Sequence, residues 1–219
     1  GDSFVRVWDV GAKMCKAKFT HSADVLAVAS NPDNPDLILA AGSDLECRVH
    51  DVRTTQCAGV FVGAESDIEH VAFNPALSHF FVGASADGVC RVYDMRKSNS
   101  KPLVETPTQP YGCNQAEFSM DGRWLYVALQ RSQWMIFDAY TGKEVTRVEG
   151  HSDVISCLTV SENGMVCTGS WDSTIATWDL NHPSYWAQEH SMASFSEPAG
   201  WLGVKGSGGG GSASAAAEN

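Results

Sequence analysis

The sequence predicts an all-β propeller, in which four-stranded antiparallel sheets are arranged as blades around an axis. The first observation is a repeat: an aromatic residue or His followed by Asp returns at spacings of 42, 43, 44 and 41 residues, from Trp8 and Asp9 to Trp178 and Asp179. A period of forty-odd residues is the length of one propeller blade. The second observation is that each period holds short segments of β-type pattern. The chain is therefore expected to contain four complete blades and the end of a preceding one.

The strands of each repeat can be assigned in order. The first predicted strand has β-type alternation and lies in VLAVASNP, HVAFNP, QAEFSMDG and ISCLTVSENG. The second is a short apolar run, found in LILAAGS, FFVGAS, WLYVAL and MVCTGS. The third ends at the aromatic-Asp pair and lies in ECRVHD, VCRVYD, QWMIFD and TIATWD. A weaker fourth strand is predicted in QCAGVF, KPLVET and EVTRVE.

A tight turn is predicted between the second and third strands. An Asp stands six residues before the aromatic position in most repeats, where its side chain can accept hydrogen bonds from backbone N–H groups of the turn. The residues concerned are Asp2, Asp44, Asp87 and Asp172, with Arg131 at the remaining turn.

The last repeat resembles a WD40 repeat, since Gly150 and His151 open it and Trp178 and Asp179 end it. The resemblance implies a seven-bladed propeller and a hydrogen-bond network that runs from His151 through Asp172 and Thr168 to Trp178. Buried imidazole and indole N–H groups need such partners. The earlier repeats have apolar residues where the Thr is expected, so apolar packing should hold them; these residues are Ala40, Gly83 and Val127.

Catalysis is not predicted. His151, Asp172 and Thr168 could form a catalytic triad in principle, but the hydroxyl lies inside a predicted strand without an exposing GxSxG turn. Phosphate-binding motifs of the GxxxxGK and GxGxxG types do not occur. The seven cysteines include no CxxC pair, so neither a metal nor another cofactor is expected.

Composition narrows the classes of partner. The chain has 15 Lys and Arg against 26 Asp and Glu, a formal net charge of −11, which argues against general nucleic-acid binding. Hydrophobic residues make up 43% of its 219 residues, as in globular proteins. No run of eighteen apolar residues is present, so no transmembrane segment is predicted.

A protein-binding surface is predicted at one end of the sheets. The loop that enters the first strand and the turn between the second and third strands should emerge together there. This end carries Asp24, Asp67 and Trp171, a combination of charge and aromatic area suited to protein recognition. The alternative is that the two carboxylates only solvate their loops and that Trp171 packs on its own turn.

Residues 1 to 180 resemble the β subunit of heterotrimeric G proteins, above all in GHSDVISCLTVSENGMVCTGSWDSTIATWDL. The resemblance implies a noncatalytic signalling subunit of the cytoplasm, brought to the inner face of the plasma membrane by its partners. Those partners would be an α subunit, a γ subunit and effectors. On this alignment the α subunit and effectors contact Asp24, Leu26, Asp67 and Trp171. The chain departs from the family at Ala86, Gln130 and Val154, where two acidic residues and a basic residue are expected.

The domain organisation follows from these assignments. Residues 1–180 are expected to form the WD40 segment, which looks like a C-terminal part of a seven-bladed propeller whose closing strand comes from upstream. Residues 181–205 form an irregular extension that contains Trp186, Phe195 and Trp201. Residues 206–219 have the Gly, Ser and Ala composition of a flexible linker.

A second class of function also fits the sequence. WD40 substrate receptors of cullin-RING ubiquitin ligases resemble this chain at an Asp-x-Arg that follows the aromatic position. The tripeptide occurs here at residues 51–53 and 94–96, but G-protein β subunits carry it as well. A general WD40 scaffold with other protein partners is the third alternative.

Overall fold

The computed structural model describes residues 2–97 and 101–180. The predicted extension at 181–205 and tail at 206–219 lie outside the described residues. Within the described ranges the chain forms seventeen β-strands in five sheets.

The sheets follow one another along the chain, and each antiparallel strand pairs with its neighbour in sequence. Sheet 1 comprises β1 (Phe4–Asp9) and β2 (Met14–Thr20). Sheet 2 comprises β3 (Val25–Ser30), β4 (Leu37–Gly42), β5 (Cys47–Asp51) and β6 (Gln56–Phe61). Sheet 3 comprises β7 (Ile68–Phe73), β8 (Phe80–Ser85), β9 (Cys90–Asp94) and β10 (Val104–Glu105). Sheet 4 comprises β11 (Cys113–Phe118), β12 (Trp124–Leu129), β13 (Gln133–Asp138) and β14 (Glu144–Glu149). Sheet 5 comprises β15 (Ile155–Val160), β16 (Met165–Ser170) and β17 (Ile175–Asp179).

The arrangement confirms the prediction of an all-β propeller segment. The first strands of successive sheets pack beside one another, β3 against β7, β7 against β11 and β11 against β15. Each sheet is therefore a blade whose first strand lies on the inside.

The core lies between consecutive sheets. Separate clusters of buried apolar residues fill the spaces between sheets 1 and 2, 2 and 3, 3 and 4, and 4 and 5. Strand β8 is buried along almost its whole length because both faces of sheet 3 are covered. Strand β17 instead alternates between exposed and buried residues. Among the described residues, sheet 5 is thus covered on one face.

The structure differs from the sequence prediction in two details. Strands β7 and β11 each begin two residues before the predicted segment, and a register shift follows the first residue of each. The same shift follows the first residue of β3 and of β15, whose starts agree with the prediction, so the bulge is a common feature of the inner strands. Strand β10 is reduced to Val104 and Glu105, although six residues were predicted. Pro102, inside the predicted strand, has no backbone N–H with which to extend the ladder.

Candidate protein-binding rim

One end of the sheets forms a continuous band of loops and turns, which we name the rim. It comprises loops 20–24, 63–67, 107–113 and 150–153 and turns 43–45, 86–88, 130–132 and 171–173. In each of sheets 2 to 5 the turn donates a backbone hydrogen bond to the loop or to the residue that follows it. The pairs are Ser43 N to Asp24 O (2.9 Å), Ala86 N to Asp67 O (2.8 Å), Gln130 N to Gly112 O (2.8 Å) and Trp171 N to Val154 O (2.9 Å). The loops and turns therefore emerge together.

Further backbone hydrogen bonds join the rim of one sheet to the rim of the next. Val25 N donates to Asp2 O at 3.1 Å, between sheets 2 and 1. Gln109 N donates to Gly88 O at 2.9 Å, and Ile155 N donates to Arg131 O at 3.0 Å. Because these bonds fix the backbone between sheets 1 and 2, between sheets 3 and 4 and between sheets 4 and 5, the rim side chains there project from a preorganised surface.

The four residues predicted to contact protein partners lie at or beside this rim. Trp171 is 69% exposed in the turn of sheet 5, and Leu26 is 43% exposed at the start of β3. Asp24 is exposed, and Asp67 is half-buried in the loop that enters β7. They come from sheets 2, 3 and 5, so sheet 4 separates Asp67 from Trp171 along the rim.

Leu26 also lines a groove between β1 and β3. The groove has a volume of about 650 Å³, and its walls include Phe4, Trp8 and Val28. Trp8 and Val28 are 60% and 59% exposed. The exposed apolar surface near Leu26 thus continues away from the rim along β3.

Sheet 4 contributes rim residues that the sequence analysis did not select. Arg131 donates a hydrogen bond from Nη1 to the Tyr111 hydroxyl at 3.0 Å. Its guanidinium lies 4.8 Å from the centre of the Tyr111 ring, a cation-π arrangement. The sequence feature that indicates this difference is Arg131 itself, a basic residue at the turn position where the other repeats have Asp. The rim therefore carries a cation between the acidic loops and Trp171.

A buried network in sheet 5 supports the turn that carries Trp171. Trp178 Nε1 donates to Thr168 Oγ1 at 2.9 Å. The Thr168 hydroxyl lies 2.8 Å from His151 Nε2, and His151 Nδ1 lies 2.9 Å from Asp172 Oδ2. With a proton on His151 Nδ1, the hydroxyl donates to Nε2, and each of the N–H and O–H groups of this network has an acceptor.

Asp172 is held as a carboxylate at the base of this turn. Burial alone would raise its pKa, but hydrogen bonds from the Thr174 hydroxyl, the Ser152 backbone N–H and His151 outweigh burial and lower the pKa well below its ordinary value. Thr168 is 1% exposed. Its hydroxyl is bonded to two buried partners, and a substrate cannot reach it. This fits a structural network, whereas the nucleophile of a catalytic triad must be accessible to its substrate.

Sheet 2 contains a polar cluster where the sequence predicted apolar packing. His21 Nδ1 lies 2.9 Å from Asp44 Oδ2, and His21 Nε2 lies 3.0 Å from His50 Nε2. Ala40 stands where sheet 5 has Thr168, and it is fully buried. The sequence signal was His50 itself, which takes the aromatic position of this repeat.

The two Asp-x-Arg tripeptides form local ion pairs. Arg53 Nη2 lies 3.3 Å from Asp51 Oδ2, and Arg96 Nη2 lies 2.9 Å from Asp94 Oδ2. Each guanidinium is thus bonded to the Asp two residues before it. Their side chains remain 65% and 60% exposed.

Residues 2–97 and 101–180 contain neither a metal-binding cluster nor a membrane-spanning helix. No group of three or more His, Cys, Asp or Glu side chains is placed to hold a metal ion there. In that same part of the chain, no helix is long and apolar enough to cross a membrane.

Comparison with known proteins gives two kinds of match. The family model described as "WD domain, G-beta repeat" matches residues 13–51, 55–94 and 142–179. The unmatched stretch between the last two holds most of sheet 4, whose turn carries Arg131 in place of Asp. The guanine nucleotide-binding protein subunit beta of Solanum tuberosum is 32% identical over 196 residues, which is 81% of this chain and 51% of that protein.

Other relatives agree with this assignment. The guanine nucleotide-binding protein subunit beta of Arabidopsis thaliana is 31% identical over 197 residues, again 81% of this chain and 51% of that protein. The WD repeat-containing protein 55 homolog of Dictyostelium discoideum is 41% identical over 70 residues, 32% of this chain and 17% of that protein. The chain spans about half the length of the plant β subunits it matches. With the repeated four-stranded sheets, these matches show that the chain belongs to the WD40 repeat family and is similar to G-protein β subunits.

Proposed function

We propose that this chain is a noncatalytic protein-binding propeller segment that acts as a G-protein β-like signalling subunit, and that its rim contacts an α subunit and effectors. The observation that carries the proposal is Trp171, a large aromatic side chain that is 69% exposed on a backbone-anchored turn. Aromatic side chains of this kind commonly supply much of the binding energy of a protein interface.

The rim suits recognition because little of it has to be ordered on binding. Trp171 N is bonded to Val154 O, and Asp172 N is bonded to Ser170 Oγ at 3.2 Å. A surface that is fixed before binding avoids part of the conformational entropy cost of association. Asp24 and Asp67 add charges that can orient a partner.

Similarity to β subunits supports the choice of partner. A GDP-bound α subunit is the first partner to test, followed by effectors that share the same surface and by a γ subunit. Localisation at the inner face of the plasma membrane would then follow from these partners. The substitutions at Ala86, Gln130 and Val154, together with Arg131, favour an α subunit whose own surface is adapted to this rim.

The test is the affinity of the 219-residue chain for a GDP-bound α subunit, measured by calorimetry. The double variant Asp24→Ala with Trp171→Ala should bind about 10 to 100 times more weakly, because an interface aromatic and a second, charged contact elsewhere on the rim together contribute about 1.4 to 3 kcal/mol. The matched control is Asp33→Ala with Trp8→Ala. Trp8 is 60% exposed, but it lies at the end of β1 that points away from the rim.

Three outcomes would contradict the proposal. Equal binding by wild type and the rim variant would remove the interface, and an equal loss in the control variant would show that the effect is not specific to the rim. A wild-type chain that binds no α subunit would contradict the G-protein assignment.

A further inference from the structure

The His21–His50 contact in sheet 2 is an arrangement that sheet 5 does not have. Two imidazole rings meet through their Nε2 atoms at 3.0 Å, and the residues are 4% and 2% exposed. In sheet 5 Trp178 stands at the position of His50, and the hydroxyl of Thr168, which stands at the position of Ala40, joins Trp178 to His151.

The hydrogen bonds of this pair leave no acceptor for a further N–H, which makes the contact sensitive to pH. The proton on His21 Nδ1 is donated to Asp44, and a single proton lies between the two Nε2 atoms. The remaining nitrogen, His50 Nδ1, is buried and has no hydrogen-bond partner among the described residues. Any further proton taken up by the pair therefore leaves an N–H at His50 Nδ1 without an acceptor, wherever the charge resides.

The groups packed around His50 disfavour that extra proton. Strand β2 supplies the Phe19 ring, which stacks on the imidazole with centroids 4.4 Å apart, and β6 places Cys57 opposite in register. Asp44 attracts a positive charge, but Arg48 lies 3.6 Å from the same carboxylate. Burial, with the adjacent His21 and Arg48, lowers the pKa of His50 from 6.5 to about 4.

The same contacts fix the rim in sheet 2. His21 lies in loop 20–24, Asp44 lies in turn 43–45, and the two are joined by the imidazole-carboxylate bond. Ser43 N also donates to Asp24 O at 2.9 Å. A change in the His21–His50 contact is thereby transmitted to the loop that carries Asp24.

We propose that the His21–His50 pair is a pH-sensitive lock on the rim of sheet 2: as the pH falls below about 6, the open form of loop 20–24, in which His50 is free to take up a proton, gains population at the expense of the closed form. The proposal does not depend on which partner the rim binds. The sign follows from linkage, since the unfolded chain binds the proton more readily than the folded chain and stability falls as the pH drops below 6.5.

The first test is urea unfolding of the 219-residue chain at pH 7.5 and pH 5.0. The His50 contribution should raise the unfolding equilibrium constant about 30-fold between these pH values. The double variant Ala40→Thr with His50→Trp gives sheet 2 the residues that sheet 5 has at these positions. Between the two pH values, the unfolding equilibrium constant of this variant should rise about 30-fold less than that of wild type. Other titrating groups affect both proteins equally, so their contribution cancels when the two are compared. Equal pH dependence in wild type and variant would overturn the proposal.

A second variant and a direct readout keep the test decisive if that variant does not fold. His50→Phe keeps an aromatic ring that can stack on Phe19 but has no titratable group. The NMR signal that is missing in this variant is therefore that of the His50 ring. In wild type, NMR should show the His50 ring unprotonated down to about pH 5. A titration midpoint near 6.5 would contradict the proposal. Backbone hydrogen exchange, corrected for intrinsic rates, should be faster at pH 5.0 than at pH 7.5 in loop 20–24 but not in loop 150–153. Equal acceleration in both loops would contradict a lock that acts only on sheet 2.

Discussion

Thr168→Val isolates the hydroxyl at the centre of the sheet 5 network. Val has nearly the same shape as Thr, and Thr168 is 1% exposed in β16, so the substitution removes hydrogen bonds without opening a large cavity. The lost contacts are those from Trp178 Nε1 at 2.9 Å and to His151 Nε2 at 2.8 Å.

The expected cost follows from the two groups left without partners. Trp178 is 4% exposed and the His151 side chain is 1% exposed, so water does not readily replace the hydroxyl. Leaving a buried polar group unsatisfied costs about 1 to 3 kcal/mol. Two such groups give an expected loss of about 2 to 4 kcal/mol once the added apolar methyl is taken into account. A loss of that size is a large part of the stability of an ordinary domain.

Chemical denaturation, followed by tryptophan fluorescence, measures this loss. The matched control is Thr177→Val on β17, because Thr177 is exposed in the same sheet; a change within about 0.5 kcal/mol is expected for it. The reasoning is refuted if the two variants have the same denaturation midpoint. It is also refuted if Thr168→Val is more stable than wild type.

Two further substitutions test the rim and the inner strands. In Gly42→Ala the new Cβ would lie 2.0 Å from the Asp24 carbonyl oxygen, so a loss of about 3 kcal/mol is expected. Its control, Gly11→Ala, meets nothing nearer than 3.4 Å and should unfold at the wild-type denaturant concentration. Burial raises the pKa of Glu117 from 4.5 to about 7, against a hydrogen bond from Gln115, so wild type loses stability as the pH rises through this range. Glu117→Gln should therefore exceed wild type in stability by about 1 to 3 kcal/mol at pH 8 and by little at pH 5, and an equal gain in Glu162→Gln would refute a burial effect.

The order of the strands could be predicted from the sequence because the repeat fixes the blade and alternation fixes the strand. Prediction was less accurate at the ends of strands. Strands β7 and β11 begin two residues before the predicted segments, at Ile68 and Cys113. Strand β10 is shortened next to Pro102. The sequence shows that Pro102 has no N–H, but the effect on strand length depends on where Pro102 lies in the ladder of backbone hydrogen bonds.

The candidate site shows the same division between local and spatial information. The loops and turns of the rim could be placed at one end because antiparallel topology requires it, and the backbone bonds show them there. The partnership of Arg131 with Tyr111 could not be predicted, since it joins residues 20 apart across a loop and a turn. The same holds for His21 and His50, which are 29 residues apart and meet between the loop that enters sheet 2 and its third strand.

Hydrogen exchange of the 219-residue chain with and without a saturating GDP-bound α subunit tests the central claim most directly. If the rim is the binding surface, slower exchange should appear in residues 20–26, 63–68 and 170–173. The turns at the other end, near residues 31–36, 74–79 and 161–164, should exchange as they do in the unbound chain. Protection confined to those turns, or no protection anywhere, would contradict the account of this chain as a protein-binding propeller segment of the G-protein β type.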